Sequence, residues 1–163
     1  MNKKIFYIIF FAITFIIGLI IFNKYRVAPT INISQLDLID QNAQKFDINS
    51  LKGKKIILSF YASWCPNCIE ELSVLHKIKK QKLSDIEVVA VTDESLEKLI
   101  VFKNKKQYPF TFLKLTSSFS SLGIASIPTT YLINTKGDIV YNKVGYIHWD
   151  DESNLNHLKT LME

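Results

Sequence analysis

The chain has 163 residues and a formal net charge of +5. Four of its 20 basic residues, Lys3, Lys4, Lys24 and Arg26, flank an apolar N-terminus, so from Ala28 onward 16 basic residues face 15 acidic ones, a net of +1. The basic balance therefore describes membrane flanks and argues against a charge-driven nucleic-acid binder. The remaining clusters, Lys77, Lys79, Lys80 and Lys82, then Lys103, Lys105 and Lys106, lack arginine and interleaved aromatic residues. They read as solvated helix faces.

Ile5 to Phe22 is a run of 18 residues without a charge, broken only by Thr14 and Gly18. That is just long enough to cross a bilayer as a helix, and longer than the usual apolar core of a signal peptide. No small-x-small cleavage site follows, and no cysteine stands at its end to carry a lipid. Residues 1–27 therefore read as an uncleaved signal anchor, with cleavage as the alternative. A core helix of a soluble protein seldom lacks a polar face. Residues 28–163 then make one ordinary domain, joined to the anchor by a short link. The flanking charges specify orientation weakly. An anchored domain with a redox cysteine pair suits a position outside the cytoplasm.

Thr30–Asp40 and Gln44–Ile48 read as short strands about the polar turn Asp40-Gln41-Asn42, with Ser50–Gly53 as a further turn. Ile56–Tyr61 is too apolar for a half-exposed strand and predicts a buried one. A helix follows from Pro66 to about Leu83, then a second buried strand, Glu87–Thr92. Asp93–Lys106 is a helix capped by Asp93 or Ser95. Tyr108–Leu115 is a short strand and Ser117–Leu122 a short helix. Thr129–Ile133 and Ile139–Tyr146 are strands around the turn 134–138, and Asp151–Met162 is a closing helix. Two β-α-β crossovers, a hairpin and a last helix predict a mixed sheet with helices on both faces.

The only two cysteines are Cys65 and Cys68, separated by Pro66 and Asn67. Two thiols one helical turn apart can close a small disulfide and reopen it. Cys65 stands where the unpaired N–H groups and dipole of a helix N-terminus favour an anion. Pro66 suits the first helical turn, where no N–H is needed. At roughly 100° per residue, Cys68 shares a sector with Leu72, Val74, Leu75 and Ile78, and Cys65 lies at its edge. Cys65 is thus expected to be the exposed attacking thiol and Cys68 the buried resolving one. Glu71 projects into the middle of that apolar sector, while Glu70 points toward Ser73, Lys77 and Lys80. A carboxylate on the core side is costly, and its pKa should rise. It follows Cys68 closely enough to exchange protons with it; the alternative is that it bends out to solvent or stabilises the helix N-terminus. Pro128, in Ile127-Pro128-Thr129, reads on composition alone as a strand-start proline; a cis bond is not legible from one sequence.

These residues together resemble the thioredoxin superfamily, and within it the membrane-anchored TlpA/ResA-like and CcmG/DsbE-like thiol-disulfide oxidoreductases. Ile56–Leu72 carries most of the likeness, with Trp64-Cys65-Pro66-Asn67-Cys68 at its centre; Ser126–Asn134, followed by Gly137, is the second element. The resemblance runs from about Ile31 to the C-terminus. It implies an α/β thioredoxin fold, a mixed central sheet flanked by helices, with an N-terminal β extension and one preceding transmembrane helix. It also implies that Pro128 is cis beside Cys65, and that Trp64, Ile127 and Pro128 bind an extended substrate peptide, Ile127 through its backbone. Glu71 matches the family's buried active-site acid, and Pro66 and Asn67 tune the reduction potential. Ser59 departs from the pattern, standing where cytoplasmic thioredoxins carry a buried aspartate.

The implied activity is reduction of protein disulfides, those of exported proteins or apocytochrome c, at the outer face of a bacterial inner membrane. A CcdA/DsbD-like membrane donor would return the electrons. No cofactor beyond the redox-active Cys65–Cys68 disulfide is expected, and no metal or nucleic acid. An oxidase or isomerase would use the same chemistry at another redox poise. A copper- or zinc-binding delivery module is disfavoured, because no second cysteine pair exists and His76, His148 and His157 lack ligand spacing. Those histidines have no assigned chemistry.

Overall fold

The computed structural model describes residues 3–163. Met1 and Asn2 of the expected anchor lie outside the described residues, as do the side chains of Lys24 and Arg26. Helix α1 spans Lys3–Arg26. Its described apolar side chains are exposed, and with mean hydropathy 3.0 over Lys3–Phe22 it is long and apolar enough to cross a membrane. The chain enters the domain at once, since Ala28 and Ile31 are buried. The Tyr131 hydroxyl donates to the Pro29 carbonyl at 2.8 Å. Gly123, at φ +76, makes room beside it: a Cβ there would meet the Pro29 ring at 3.3 Å.

Seven strands follow: β1 (Leu38–Ile39), β2 (Lys45–Phe46), β3 (Lys55–Phe60), β4 (Ile86–Thr92), β5 (Thr111–Leu115), β6 (Thr129–Ile133) and β7 (Ile139–Val144). They form one sheet in the order β2-β1-β5-β4-β3-β6-β7. β3, β4 and β5 are parallel; β6 runs antiparallel to β3, and β7 antiparallel to β6. Helices α2 (Pro66–Lys82), α3 (Leu96–Lys106) and α4 (Glu152–Leu161) complete the domain. This is the expected mixed sheet flanked by helices.

The helices divide unevenly between its faces. Ile57 and Tyr61 pack with Leu72 and Leu75 of α2, Leu99 and Phe102 of α3, and Leu155 and Leu158 of α4. The opposite face, with Ile56, Leu58 and Phe60, is covered by Ala28–Leu36, by Ile48 and Leu51, and by Phe119. Both crossovers step the same way across the sheet, from β3 to β4 to β5. Right-handed connections in one direction place α2 and α3 on one face, and the helices of the opposite face are the short 3₁₀ ones, Ile48–Leu51 and Phe119–Leu122. β3 lies between two cores, which is why its sequence is a continuous apolar run.

Other boundaries shift as well. Of Thr30–Asp40 only Leu38–Ile39 pairs as a strand, and Ile33–Gln35 is a 3₁₀ turn. The end of the second expected strand and the turn after it form a 3₁₀ helix, Ile48–Leu51, capped by Asp47. Ser95 rather than Asp93 caps α3, accepting from the Lys98 N–H. The Asp93 carboxylate instead accepts from the Phe119 N–H at 2.9 Å.

Candidate active site

The C-terminal ends of β3 and β4 and the start of β6 meet at one edge, where Phe60 pairs with both Val91 and Thr129. The chain leaves β3, turns through Ala62–Trp64, and enters α2 with Cys65 as N-cap. Its Sγ accepts from the Cys68 N–H at 3.3 Å. A sulfur thus occupies the position where a helix start favours negative charge. Cys65 and Cys68 are joined as a disulfide. Ile127–Pro128 is a cis peptide directly preceding β6, so Pro128 is both a strand-start proline and, as the resemblance implies, cis. The Ile127 carbonyl lies 3.9 Å from Cys65 Sγ.

The expected contrast between an exposed Cys65 and a buried Cys68 survives only as a rank order. Cys65 is 5% exposed and Cys68 1%. The disulfide ties Cys65 to a buried partner, and Ile127 sits over it. The exposed groups at the edge are Trp64, Pro66 and Asn67; Ile127 is half-buried and Pro128 buried. Trp64, at 69%, is an indole held out into solvent beside the disulfide.

Glu71 is fully buried and Glu70 exposed, as the helix wheel predicts. Oε1 accepts from the Thr130 hydroxyl at 2.9 Å, and Oε2 from the Ile147 N–H at 3.0 Å. Burial pushes its pKa up to about 7, against the opposing pull of Ile147, Thr130, Trp149 and Lys143. The Trp149 indole N–H is near enough to favour the charge, yet it makes no hydrogen bond of good geometry among the described residues. The donor inventory decides where a proton sits. The Ile147 amide can only donate, so Oε2 must stay an acceptor and the proton belongs on Oε1. Thr130 then accepts from it and turns its own hydroxyl toward Ser59 Oγ, 3.3 Å away. One hydroxyl rotation accommodates both states of Glu71.

Sequence reasoning missed Thr130 and Ile147 as partners of Glu71. Thr130 and Ser59 are directly paired across β6 and β3; facing hydroxyls in two apolar strands were the available signal. Ile147 acts through its backbone and leaves no such signal. The loop that carries it is tied to the proline turn, since the Gly145 N–H donates to the Pro128 carbonyl at 2.7 Å. His148 stands edge-on to Tyr146 at 4.9 Å, and His76 stacks on Tyr108 at 4.6 Å. His157 is exposed on α4. Among the described residues no three His, Cys, Asp or Glu side chains gather as a metal site.

The chain is similar to known proteins in sequence and in backbone. Over 114 residues the chain is 32% identical to the thioredoxin-like protein YneN of Bacillus subtilis, covering 64% of each chain. It is 30% identical over 112 residues to the thiol-disulfide oxidoreductase ResA of Bacillus cereus, covering 65% of this chain and 64% of that one. It therefore spans 64% of the length of these curated relatives. The backbone matches the pneumococcal exposed lipoprotein thioredoxin Etrx1 of Streptococcus pneumoniae with TM-score 0.59 at 27% identity, over 76% of this chain and 97% of that one. The fold is thus the thioredoxin fold, and the sequence is similar to the thiol-disulfide oxidoreductase ResA. The Redoxin pattern matches residues 25–159, taking in the cysteine turn, Glu71 and the proline strand, and the chain belongs to the Redoxin family.

Proposed function

We propose that this chain is a membrane-anchored thiol-disulfide oxidoreductase that reduces disulfides of exported proteins through Cys65 and Cys68. Residues 1–27 serve as the anchor and 28–163 as the extracytoplasmic catalytic unit. The observation that carries the reading is the Cys65–Cys68 disulfide at the start of α2, facing the cis Ile127–Pro128 turn.

In the reduced protein the Cys65 thiolate attacks one sulfur of a substrate disulfide. A mixed disulfide forms, and the first substrate sulfur leaves as a thiolate that takes up a proton. Glu71, with a pKa near 7, accepts the Cys68 proton. The Cys68 thiolate then attacks Cys65 Sγ, the intermolecular bond breaks, and the second substrate sulfur leaves. Two electrons pass to the substrate, and the Cys65–Cys68 disulfide remains. Trp64 and the Ile127 backbone hold the substrate segment as an added strand, and Pro66 and Asn67 set the potential. A CcdA/DsbD-like membrane donor returns the two electrons. Apocytochrome c cysteine pairs are the first candidate substrate.

Cys68→Ala, expressed in the native host, should accumulate mixed disulfides through Cys65, to be identified by mass spectrometry. Apocytochromes among them support cytochrome maturation; many unrelated exported proteins support a general reductase. A Cys65→Ser variant that reduces a protein disulfide at the wild-type rate refutes the mechanism. Titration against glutathione separates reductase from oxidase: a potential well above thioredoxin's, about −270 mV, indicates oxidation.

A further inference from the structure

Ser63 stands two residues before Cys65, in the turn that leaves β3, and that turn is held from outside its own strand. Glu94, in the loop between β4 and α3, reaches across to it. Its Oε2 accepts from the Ser63 backbone N–H, and its Oε1 from the Ser63 hydroxyl at 3.0 Å. The Glu94 side chain is 7% exposed, whereas Lys98, whose Nζ lies 3.4 Å from Oε1, is 62% exposed. Lys98 is mostly in solvent, so it neutralises little of the field that Glu94 sets up inside the protein. The buried Tyr61 hydroxyl, which has no hydrogen-bond partner among the described residues, senses that field. Burial first, and then Glu94, push its ionisation up.

We propose that Glu94 is a positioning residue for Cys65: its carboxylate clamps the turn that presents the thiol, and its charge opposes negative charge on the Cys65 sulfur. The inference rests on the thiol-disulfide reading of the pair. The turn is tight, with the Cys65 N–H donating to the Ala62 carbonyl at 3.1 Å. Carboxylate and sulfur are therefore on the order of 10 Å apart. At that separation, with an effective dielectric of about 20, one charge moves an ionisation by about half to one pH unit after solvent screening. An energetically raised thiolate leaves the disulfide form relatively favoured and keeps the pair reducing. The helix start and Glu94 thus act on Cys65 in opposite senses. Other charged groups of this region are Asp93, beside Glu94 and bonded to the Phe119 N–H, and Glu70, Glu71, Lys143 and Asp150, which act on Tyr146 and the Glu71 carboxyl. They are common to the proteins compared below.

The test is Glu94→Gln in the full-length chain in detergent. The carboxamide oxygen still accepts from Ser63, but the charge is gone. The thiol pKa of Cys65, read from alkylation rate against pH, should fall by about half to one unit. At pH 8 the glutathione equilibrium should move about threefold toward the reduced pair, about 14 mV for a two-electron couple. A role in folding alone would lower stability and leave both readouts where they are, and that result overturns the proposal. If Glu94→Gln does not fold, Lys98→Met on the exposed rim supplies the test. Removing the counter-cation should raise the thiol pKa by a few tenths at low ionic strength, and no rise, or a fall, overturns the proposal. A wild-type pair that fails to equilibrate with glutathione overturns the thiol-disulfide reading itself, and this inference with it.

Discussion

Replacing Glu71 by Gln should remove a pH dependence of folding that runs opposite to ordinary acid denaturation. The buried carboxyl titrates near 7 in the folded protein against an ordinary value of 4.5. A group whose folded pKa is raised contributes stability that is fully present below the unfolded value and is lost as pH rises through the folded one. With about 1.4 kcal/mol per pH unit, the fold loses about 3 kcal/mol from this residue between pH 4.5 and pH 8. Gln can keep both bonds: its oxygen accepts from Ile147, and its amide donates to Thr130, as protonated Glu71 does. The assay is urea unfolding of the oxidised full-length chain in detergent, wild type against Glu71→Gln, at half-unit intervals across that range. Asp37, held low by the Thr116 hydroxyl, and Glu152, held low by Lys82, act on both proteins alike and at lower pH. The stability difference between the two proteins should therefore grow toward alkaline pH, in favour of the variant. Parallel curves would refute the burial argument, because they would mean that Glu71 reaches water or a cation when folded.

Thr130→Val removes a donor that favours the ionised carboxyl, so the midpoint of the same pH dependence should move above 7. An unmoved midpoint would show that the Thr130 bond does not govern Glu71. Tyr131→Phe removes the 2.8 Å bond to the Pro29 carbonyl and should cost about 1–3 kcal/mol in urea unfolding. Amide exchange should accelerate first at Ala28–Ile31; unchanged protection there would mean that packing against Gly123 alone holds the segment.

The cysteine turn, the first long strand and the helix after it were legible because each carries its own local signal. Ile56–Tyr61 is apolar at consecutive positions, and Pro66 marks a helix start. The wheel position of Glu71 follows from 3.6-residue periodicity alone. The N-terminal segment misled because Ile31, Ile33, Leu36 and Leu38 suggest one strand, whereas only Leu38 enters one, and Ile31 and Leu36 bury by lying across a sheet face on either side of a 3₁₀ turn. No periodicity distinguishes the two until the sheet they cover exists. Composition left the isomer of Pro128 open, and only the family resemblance pointed to cis. Glu94 left no local trace, since it meets Ser63 across 31 residues once β3 and β4 have paired.

Val27 is exposed at 65% and Ala28 is already buried, with Pro29 fixed beside Tyr131 and Gly123. Nearly all slack is therefore missing between α1 and the domain. With α1 in a bilayer, as proposed, the redox pair could not roam the space outside the cell membrane. It would sweep a layer about one domain thick, on the order of 40 Å, above the lipid. Encounters in such a layer are effectively two-dimensional. A partner would then be selected less by affinity than by the height at which it presents its own cysteines.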